Sequence, residues 1–173
     1  FEAQVVGISF SFEKNKGYFI AINEDEQAAI LNEFKPLFEN ENIEKISSDS
    51  KYYMKVLDKF NIKLKGNLFD TTLAHYLLSP DMRHDMSVLA ETYLNYRPIT
   101  LESLIGKTGK NQLSFTQISI EKQANYTVEQ ADLTWQLKQV FETELQQNNL
   151  TKLYTEIEIP LLRVLAAMEL EGI

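Results

Sequence analysis

Cysteine is absent from the 173-residue sequence. A disulfide framework, thiol catalysis and thiolate metal sites are therefore excluded. The sequence also lacks an apolar run of membrane-spanning length and the successive charged, apolar and small-residue segments of a signal peptide. We therefore expect a protein of a reducing, cytoplasmic compartment that makes no membrane contact.

Positive charge is scarce, since 17 Lys and Arg stand against 25 Asp and Glu and give a net charge of −8. A domain that binds nucleic acid by itself is usually basic, because phosphate neutralisation dominates that affinity. The charge balance therefore predicts that the chain does not bind DNA independently. An acidic cleft that binds divalent metal ions remains compatible with this negative net charge.

The apolar pattern predicts an α/β domain with an excess of helix toward its C-terminal end. Residues 5–12 and 18–22 read as two strands of an antiparallel hairpin. Further strands are predicted at 45–48 and 68–70, and helices at 24–39, 52–60, 71–78, 88–94, 120–146 and 150–171. Asp70 and Ser119 are predicted to cap the helices that follow them, and Pro160 to interrupt the last helix. The segment 100–115 reads mostly as a loop.

Both ends of the sequence predict a fragment of a larger protein. A strand pattern begins within the first few residues, and a helical pattern continues to Gly172. A natural domain boundary would usually carry a linker at such a point.

Local motifs for catalysis or metal binding are weak. Gly106-Lys107-Thr108 matches the end of a phosphate-binding loop, but Leu101 stands where that motif needs its first glycine. An exposed basic loop is the favoured interpretation. His75 and His84 lie nine positions apart and form no recognisable metal pair, so half-buried or capping histidines are favoured.

Three stretches in fixed order carry a more specific signal. The first stretch is Lys51-Tyr52-Tyr53, followed by Phe69-Asp70-Thr71 and Ala74-His75-Tyr76-Leu77-Leu78. The second is Leu89-Ala90-Glu91-Thr92-Tyr93-Leu94, followed by Lys110-Asn111-Gln112. The third is Tyr126 to Thr134, followed by Glu156-Ile157-Glu158-Ile159-Pro160-Leu161. Together they resemble the 3′–5′ exonuclease domain of bacterial family A DNA polymerases, the DNA polymerase I family. The resemblance implies an exonuclease-like domain over 1–155, lacking its first strand, and the start of the polymerase domain over 156–173.

That resemblance implies a ribonuclease-H-like α/β fold, with a mixed central sheet flanked by helices and extra helices toward the C-terminus. In active relatives four carboxylates hold two divalent metals about 4 Å apart, and a tyrosine orients the attacking water. The implied parent is a DNA-directed DNA polymerase of replication and repair. It would use Mg²⁺ and contact DNA, and its polymerase domain would adjoin this chain covalently.

The family motifs are degenerate in this sequence. The first, Asp-x-Glu, should precede Phe1 and so lies outside the chain. The second reads Asp49-Ser50-Lys51-Tyr52-Tyr53, with Tyr53 at the position of a metal-binding aspartate. The third retains its tyrosine as Tyr126 but has Gln130 at the ligand position. A neutral amide suits a hard-metal site poorly, so the resemblance implies a vestigial exonuclease site with no metal or cofactor in this fragment.

Asp49 and Glu129 are the nearby acids available to compensate. Glu129 precedes position 130 by one residue, so on a helix it points about 100° away. Asp70 and Asp132 are expected to be structural. Three functions remain open: a silent exonuclease-like domain that supports the polymerase and guides DNA, an active two-metal exonuclease with an upstream Asp-x-Glu and altered ligands, and a non-enzymatic acidic interaction module.

Overall fold

The computed structural model describes residues 4–172. The strands are β1 (Gly7–Glu13), β2 (Lys16–Ala21), β3 (Lys45–Ser47) and β4 (Leu68–Asp70). The helices are α1 (Gln27–Phe38), α2 (Ser50–Asp58), α3 (Thr71–Leu78), α4 (Met86–Leu94), α5 (Leu101–Ile105), α6 (Ile120–Gln147), α7 (Thr151–Leu153) and α8 (Ile159–Glu171). Two 3₁₀ turns lie at Glu24–Glu26 and Phe115–Gln117, and a π-helical turn joins α7 to α8 at Tyr154–Glu158.

One pair of strands is antiparallel and the other is parallel. β1 and β2 form the predicted antiparallel hairpin, with Ile8 opposite Ile20, and Asn15 takes the left-handed conformation that its tight turn requires (φ 62°). β3 and β4 run parallel, with Ile46 opposite Phe69. Among the described residues the strands remain two separate two-stranded sheets. The predicted mixed α/β class is confirmed by the described elements.

Helix α6 is the central element of the fold. It packs against β1, β2 and β3 and also against α3 and α4, so it contacts both sheets and the helical layer. Its residues Leu137, Phe141 and Leu145 are almost completely buried. Each such side chain contributes about 1.5–3 kcal/mol through removal of apolar surface from water. The predicted cap is confirmed, since Ser119 Oγ accepts a hydrogen bond from the Lys122 N–H at 3.4 Å.

Most predicted elements are present, with one correction. The segment 100–115 is mostly loop, as predicted, and it also contains the short helix α5, because the Thr100 side chain accepts from the Ser103 N–H at 3.2 Å and starts a helix there. Tyr52 and Val56 were predicted to lie on one apolar stripe of a helix. This prediction is wrong for Tyr52, which is 40% exposed, whereas Val56 is buried. Pro160 lies in the first turn of α8, which fits a fresh helix start after the π-helical turn.

No helix within residues 4–172 combines the length and the apolar character needed to cross a lipid bilayer.

Candidate functional site

Tyr53 lies in the first turn of α2. This helix starts at Asp49, whose carboxylate accepts a hydrogen bond from the Tyr52 N–H at 3.0 Å. The rings of Tyr52 and Tyr53 meet edge to face with centroids 5.7 Å apart. Tyr53 is 44% exposed, so the desolvation that raises the pKa of its phenol acts on the part of the side chain that packs against the protein, and the nearby carboxylates raise that pKa further. The group at the position where the resemblance implies a metal-binding aspartate is therefore a neutral phenol.

Tyr126 and Gln130 lie one turn apart on α6, and both are half-buried. The Tyr126 ring stands 5.9 Å from the Phe115 ring. Burial, followed by the charge of Glu129, raises the pKa of the Tyr126 phenol, so it stays protonated and able to donate a hydrogen bond. Gln130 contributes an uncharged amide at the third-motif ligand position.

The two acids that were candidates for compensation have other contacts. Asp49 caps α2. Glu129 accepts from the Tyr96 hydroxyl at 2.6 Å through one oxygen and from the Ile99 N–H at 2.7 Å through the other. Glu129 therefore holds the segment after α4 against α6. These contacts favour structural roles for both acids.

The described residues do not fit a two-metal centre. Within residues 4–172 no three His, Asp or Glu side chains are grouped so as to hold a metal ion. The two positions at which the resemblance implies metal ligands carry a phenol and an amide, whereas hard divalent cations prefer charged oxygen ligands.

Asp70 is buried and structural. Its Oδ2 accepts from the Ser50 N–H at 2.7 Å, and its Oδ1 accepts from the Leu73 N–H at 2.9 Å, which confirms the predicted cap of α3. Burial raises the pKa of this carboxyl, and the two backbone hydrogen bonds oppose that shift. Asp132 is also structural, since it accepts from the Asn15 N–H at 2.8 Å and ties the hairpin turn to α6.

Tyr154 completes the outer edge of β4. Its hydroxyl accepts from the Asp70 N–H at 2.6 Å and donates to the Asp70 carbonyl at 3.1 Å, as a neighbouring strand would. Its ring packs against Phe69 with centroids 5.2 Å apart. The contact joins residues 84 positions apart, and no local pattern in the sequence indicates it.

A groove of about 510 Å³ opens beside these elements, and we call it the α2–α8 groove. Its lining residues are Ser48, Asp49, Lys51, Asp70, Thr72, Leu73, Tyr76, His84, Glu158, Leu162 and Leu165. Three carboxyl groups and a single ammonium group border it. The groove is therefore acidic, although the second-motif segment forms one of its walls.

The sequence model of the 3′–5′ exonuclease family matches residues 1–146. The chain belongs to the 3′–5′ exonuclease family. This exonuclease-family chain is 36% identical to the DNA polymerase I of Pseudomonas aeruginosa over 183 residues, covering 99% of the chain and 20% of that protein. It is 34% identical to the DNA polymerase I of Borreliella burgdorferi over 178 residues, covering 100% and 19% respectively. The chain thus spans about a fifth of the length of these curated relatives.

Two solved structures share the fold of this exonuclease-family chain. The POL domain of Pol1 from M. smegmatis, in complex with DNA primer-template and dNTP, superimposes with a TM-score of 0.67 at 22% identity and covers 89% of this chain and 23% of that one. Brucella melitensis NrnC superimposes with a TM-score of 0.64 at 20% identity over 79% of this chain and 63% of that one. The predicted resemblance is confirmed, so an interaction module with a coincidental resemblance loses its basis.

Of the two histidines of the exonuclease-family chain, His84 is half-buried as predicted, whereas His75 differs from the prediction. His75 is completely buried rather than half-buried. Its Nδ1 lies 2.6 Å from Nδ1 of His84, and its Nε2 lies 3.1 Å from the Tyr93 hydroxyl. The turn after α3 brings His84 back onto His75, a contact that the spacing of nine residues did not reveal. A neutral imidazole donates from one ring nitrogen and accepts at the other, so the two facing nitrogens can share one hydrogen bond that links buried His75 to half-buried His84.

Proposed function

We propose that this chain is the exonuclease-like domain of a bacterial DNA polymerase I whose proofreading site is silent. The observation that carries the proposal is the pair of neutral residues, Tyr53 and Gln130, at two of the family's metal-ligand positions. The domain would then serve as a structural support for the polymerase and as a guide for DNA. This interpretation makes the exonuclease site vestigial.

Charge balance supports a silent site. In the two-metal chemistry of this family, four carboxylates offset two dications. Replacing two of the four by a phenol and an amide removes two negative charges and leaves the dications poorly compensated. Asp49 and Glu129 restore that charge poorly, because a helix cap uses one oxygen of Asp49 and contacts with Tyr96 and Ile99 use both oxygens of Glu129. Only the retained Tyr126 favours the alternative of an active exonuclease with altered ligands.

The separation of the two sheets supports a missing first strand. In the described part of the chain β1 pairs only with β2, and β3 pairs only with β4. Helix α6 packs on both sheets. A strand carrying Asp-x-Glu, placed upstream of Phe1, would fit between β1 and β3 and join the pairs into one mixed sheet. We therefore assign 1–155 to the exonuclease-like domain without its first strand.

The exposed face of the C-terminal helices supports an adjoining polymerase domain that begins at about residue 156. Apolar side chains recur there at helical spacing and are between 39% and 55% exposed: Ile157, Leu161, Val164, Leu165 and Met168. A contiguous apolar surface of this kind is typical of a contact face. In our proposal the polymerase domain covers it, binds DNA and Mg²⁺, and acts in replication and repair in the cytoplasm. This domain itself holds no cofactor.

A manganese titration tests the vestigial site. Free Mn²⁺ would be followed by electron paramagnetic resonance as the ion is added to the full-length protein, which carries any upstream Asp-x-Glu, and to its Y53D/Q130D double variant. We expect the unchanged protein to show no saturable site beyond those of its polymerase domain, because two ligand positions of the exonuclease-like domain are neutral. We expect additional Mn²⁺ binding by the double variant, because it restores two carboxylates.

The same titration identifies the active alternative. A saturable site in the unchanged protein that is lost in D49N or E129Q would show that the neighbouring acids hold a metal. That result would overturn the silent-site proposal.

A further inference from the structure

Helix α8 carries apolar side chains on two opposite sides. Of its 13 residues only Arg163, Glu169 and Glu171 are charged. On the inner side Ile159 and Ala166 are buried, and the helix packs against α2 and β4. On the outer side four apolar residues are exposed: Leu161, Val164, Leu165 and Met168. A helix that is apolar nearly all round is typical of a buried position, so α8 has the composition of a helix that lies between two bodies.

Arg163 fastens the inner side of α8 to a neighbouring turn. Its Nη1 donates a hydrogen bond to the Leu64 carbonyl at 2.6 Å, and its Nη2 donates to the Gly66 carbonyl at 2.7 Å. Arg163 lies four positions after Ile159 and three before Ala166, so the three residues share one side of the helix. Because the N–H groups of a planar guanidinium have fixed directions, the two bonds restrict the orientation of α8 as well as its distance from the turn. We call this contact the Arg163 anchor.

The turn that receives Arg163 is itself held by the rest of the domain. The Lys65 N–H donates to the carbonyl of Phe38, the last residue of α1, at 3.0 Å. Gly66 takes the left-handed conformation (φ 77°), and a Cβ atom there would lie 2.8 Å from the Glu41 carbonyl oxygen. The anchor therefore joins α8 to a turn whose conformation is set by other contacts within the domain.

We propose that α8 is shared by two domains and connects them rigidly. Its inner side, held by the Arg163 anchor, is part of the exonuclease-like domain, and its outer side is part of the polymerase domain. The two domains then move as one body, and the chain between them does not act as a flexible linker. The inference rests on the proposed function and gives its supporting role a physical means, with Arg163 as a positioning residue for the polymerase domain.

Time-resolved fluorescence anisotropy of the full-length protein tests the rigid connection. A dye would be attached at Y18C, because Tyr18 is 53% exposed and the 173-residue chain has no cysteine of its own. Any cysteine elsewhere in the protein would first be replaced by serine. Beyond the local motion of the dye, we expect the unchanged protein to show the slow rotation of the whole molecule. We expect R163Q to add a faster component, because the exonuclease-like domain then rotates partly on its own.

The matched control is R97Q. The Arg97 side chain is 88% exposed and contacts Glu91 at the surface. Its substitution removes one positive charge and takes the net charge of the chain from −8 to −9, as R163Q does. The anisotropy decay of R97Q should match that of the unchanged protein. R163K should give an intermediate decay, because one ammonium group does not reproduce the two-pronged geometry of a guanidinium.

Hydrogen exchange of the same proteins, followed by mass spectrometry, shows whether the anchor holds α8. Exchange in peptides that cover 159–171 and 63–67 should be faster in R163Q by about tenfold or more, because two hydrogen bonds from a charged donor are lost. In R97Q these peptides should exchange as they do in the unchanged protein.

A fast component already present in the unchanged protein would overturn the inference, and this result stands even if R163Q does not fold. Equal anisotropy decays for R163Q and R97Q would overturn it as well, because faster exchange alone would show only that Arg163 stabilises α8. The samples would also be incubated with a labelled oligonucleotide and Mg²⁺. Shortening from the 3′ end would contradict the silent site of the proposed function whatever the anisotropy shows, so the two failures are distinguishable.

Discussion

Neighbouring side chains on α6 perform different tasks. Glu129 carries a charge but uses both oxygens to hold the Tyr96 hydroxyl and the Ile99 N–H. Gln130, the next residue, stands where the resemblance implies a metal ligand, and it carries no charge. A carboxylate shifted by one position along a helix faces another neighbour, about 100° away. The acidic composition of the chain therefore says little about this site, because the position of each acid decides its role.

His75 gives a prediction at the same scale. Burial, and then the nearby His84, lower the pKa of His75. The unfolded chain has the ordinary histidine pKa of about 6.5 and so binds the proton more readily than the folded chain does. Stability should therefore be retained above about pH 6.5 and should fall as the pH drops below it. Urea unfolding between pH 7.5 and pH 5 measures the effect.

The matched variant is His75→Phe, which keeps a ring against Phe141, whose centroid lies 5.5 Å from that of His75. It removes the titrating group, so the free energy of unfolding should depend less steeply on pH than in the unchanged chain. If both proteins lose stability with the same slope below pH 6.5, His75 is not the group responsible.

Local chemistry explains the elements that the sequence predicts well. The hairpin follows from alternating apolar residues around a turn, and α3 and α6 start at side chains that accept from their first free N–H groups. The short α5 was missed because five residues carry too little periodicity to distinguish a helix from a loop. Tyr154, in turn, forms hydrogen bonds with the backbone of Asp70 in the edge strand β4, and the two residues are 84 positions apart in the sequence. Such contacts depend on tertiary packing, which propensity does not encode.

The edge of β4 supplies a prediction at the scale of the element. In Tyr154→Phe the Asp70 N–H and carbonyl both lose their buried partner. Each unsatisfied buried group costs about 1–3 kcal/mol, so we expect the free energy of unfolding to fall by about 2–6 kcal/mol. Chemical denaturation followed by circular dichroism measures the change.

Tyr18→Phe is the control for that experiment. Tyr18 is 53% exposed and stacks on Phe12 at the surface of the hairpin. Loss of an exposed hydroxyl should change stability by less than about 0.5 kcal/mol. A Tyr154→Phe protein as stable as Tyr18→Phe would show that the hydroxyl does not support the strand edge.

At the scale of the whole molecule, the order of the motifs predicts the family and the fold class, and the comparisons confirm both. The prediction that Tyr53 and Gln130 replace two metal-binding carboxylates comes from the sequence alone. The contact of Glu169 with Lys51 and Lys55 and the contact of His75 with His84 cannot be read from the sequence, because each depends on how distant segments pack. The structure shows which contacts the charged side chains make.

The most direct test of a silent proofreading site is an exonuclease assay on the full-length protein. A 5′-labelled single-stranded oligonucleotide would be incubated with Mg²⁺ or Mn²⁺, with primer extension run in parallel as the control for an active enzyme. We predict extension of a primed template and no metal-dependent shortening from the 3′ end. Shortening from the 3′ end that requires the metal and stops when EDTA is added would contradict the silent site.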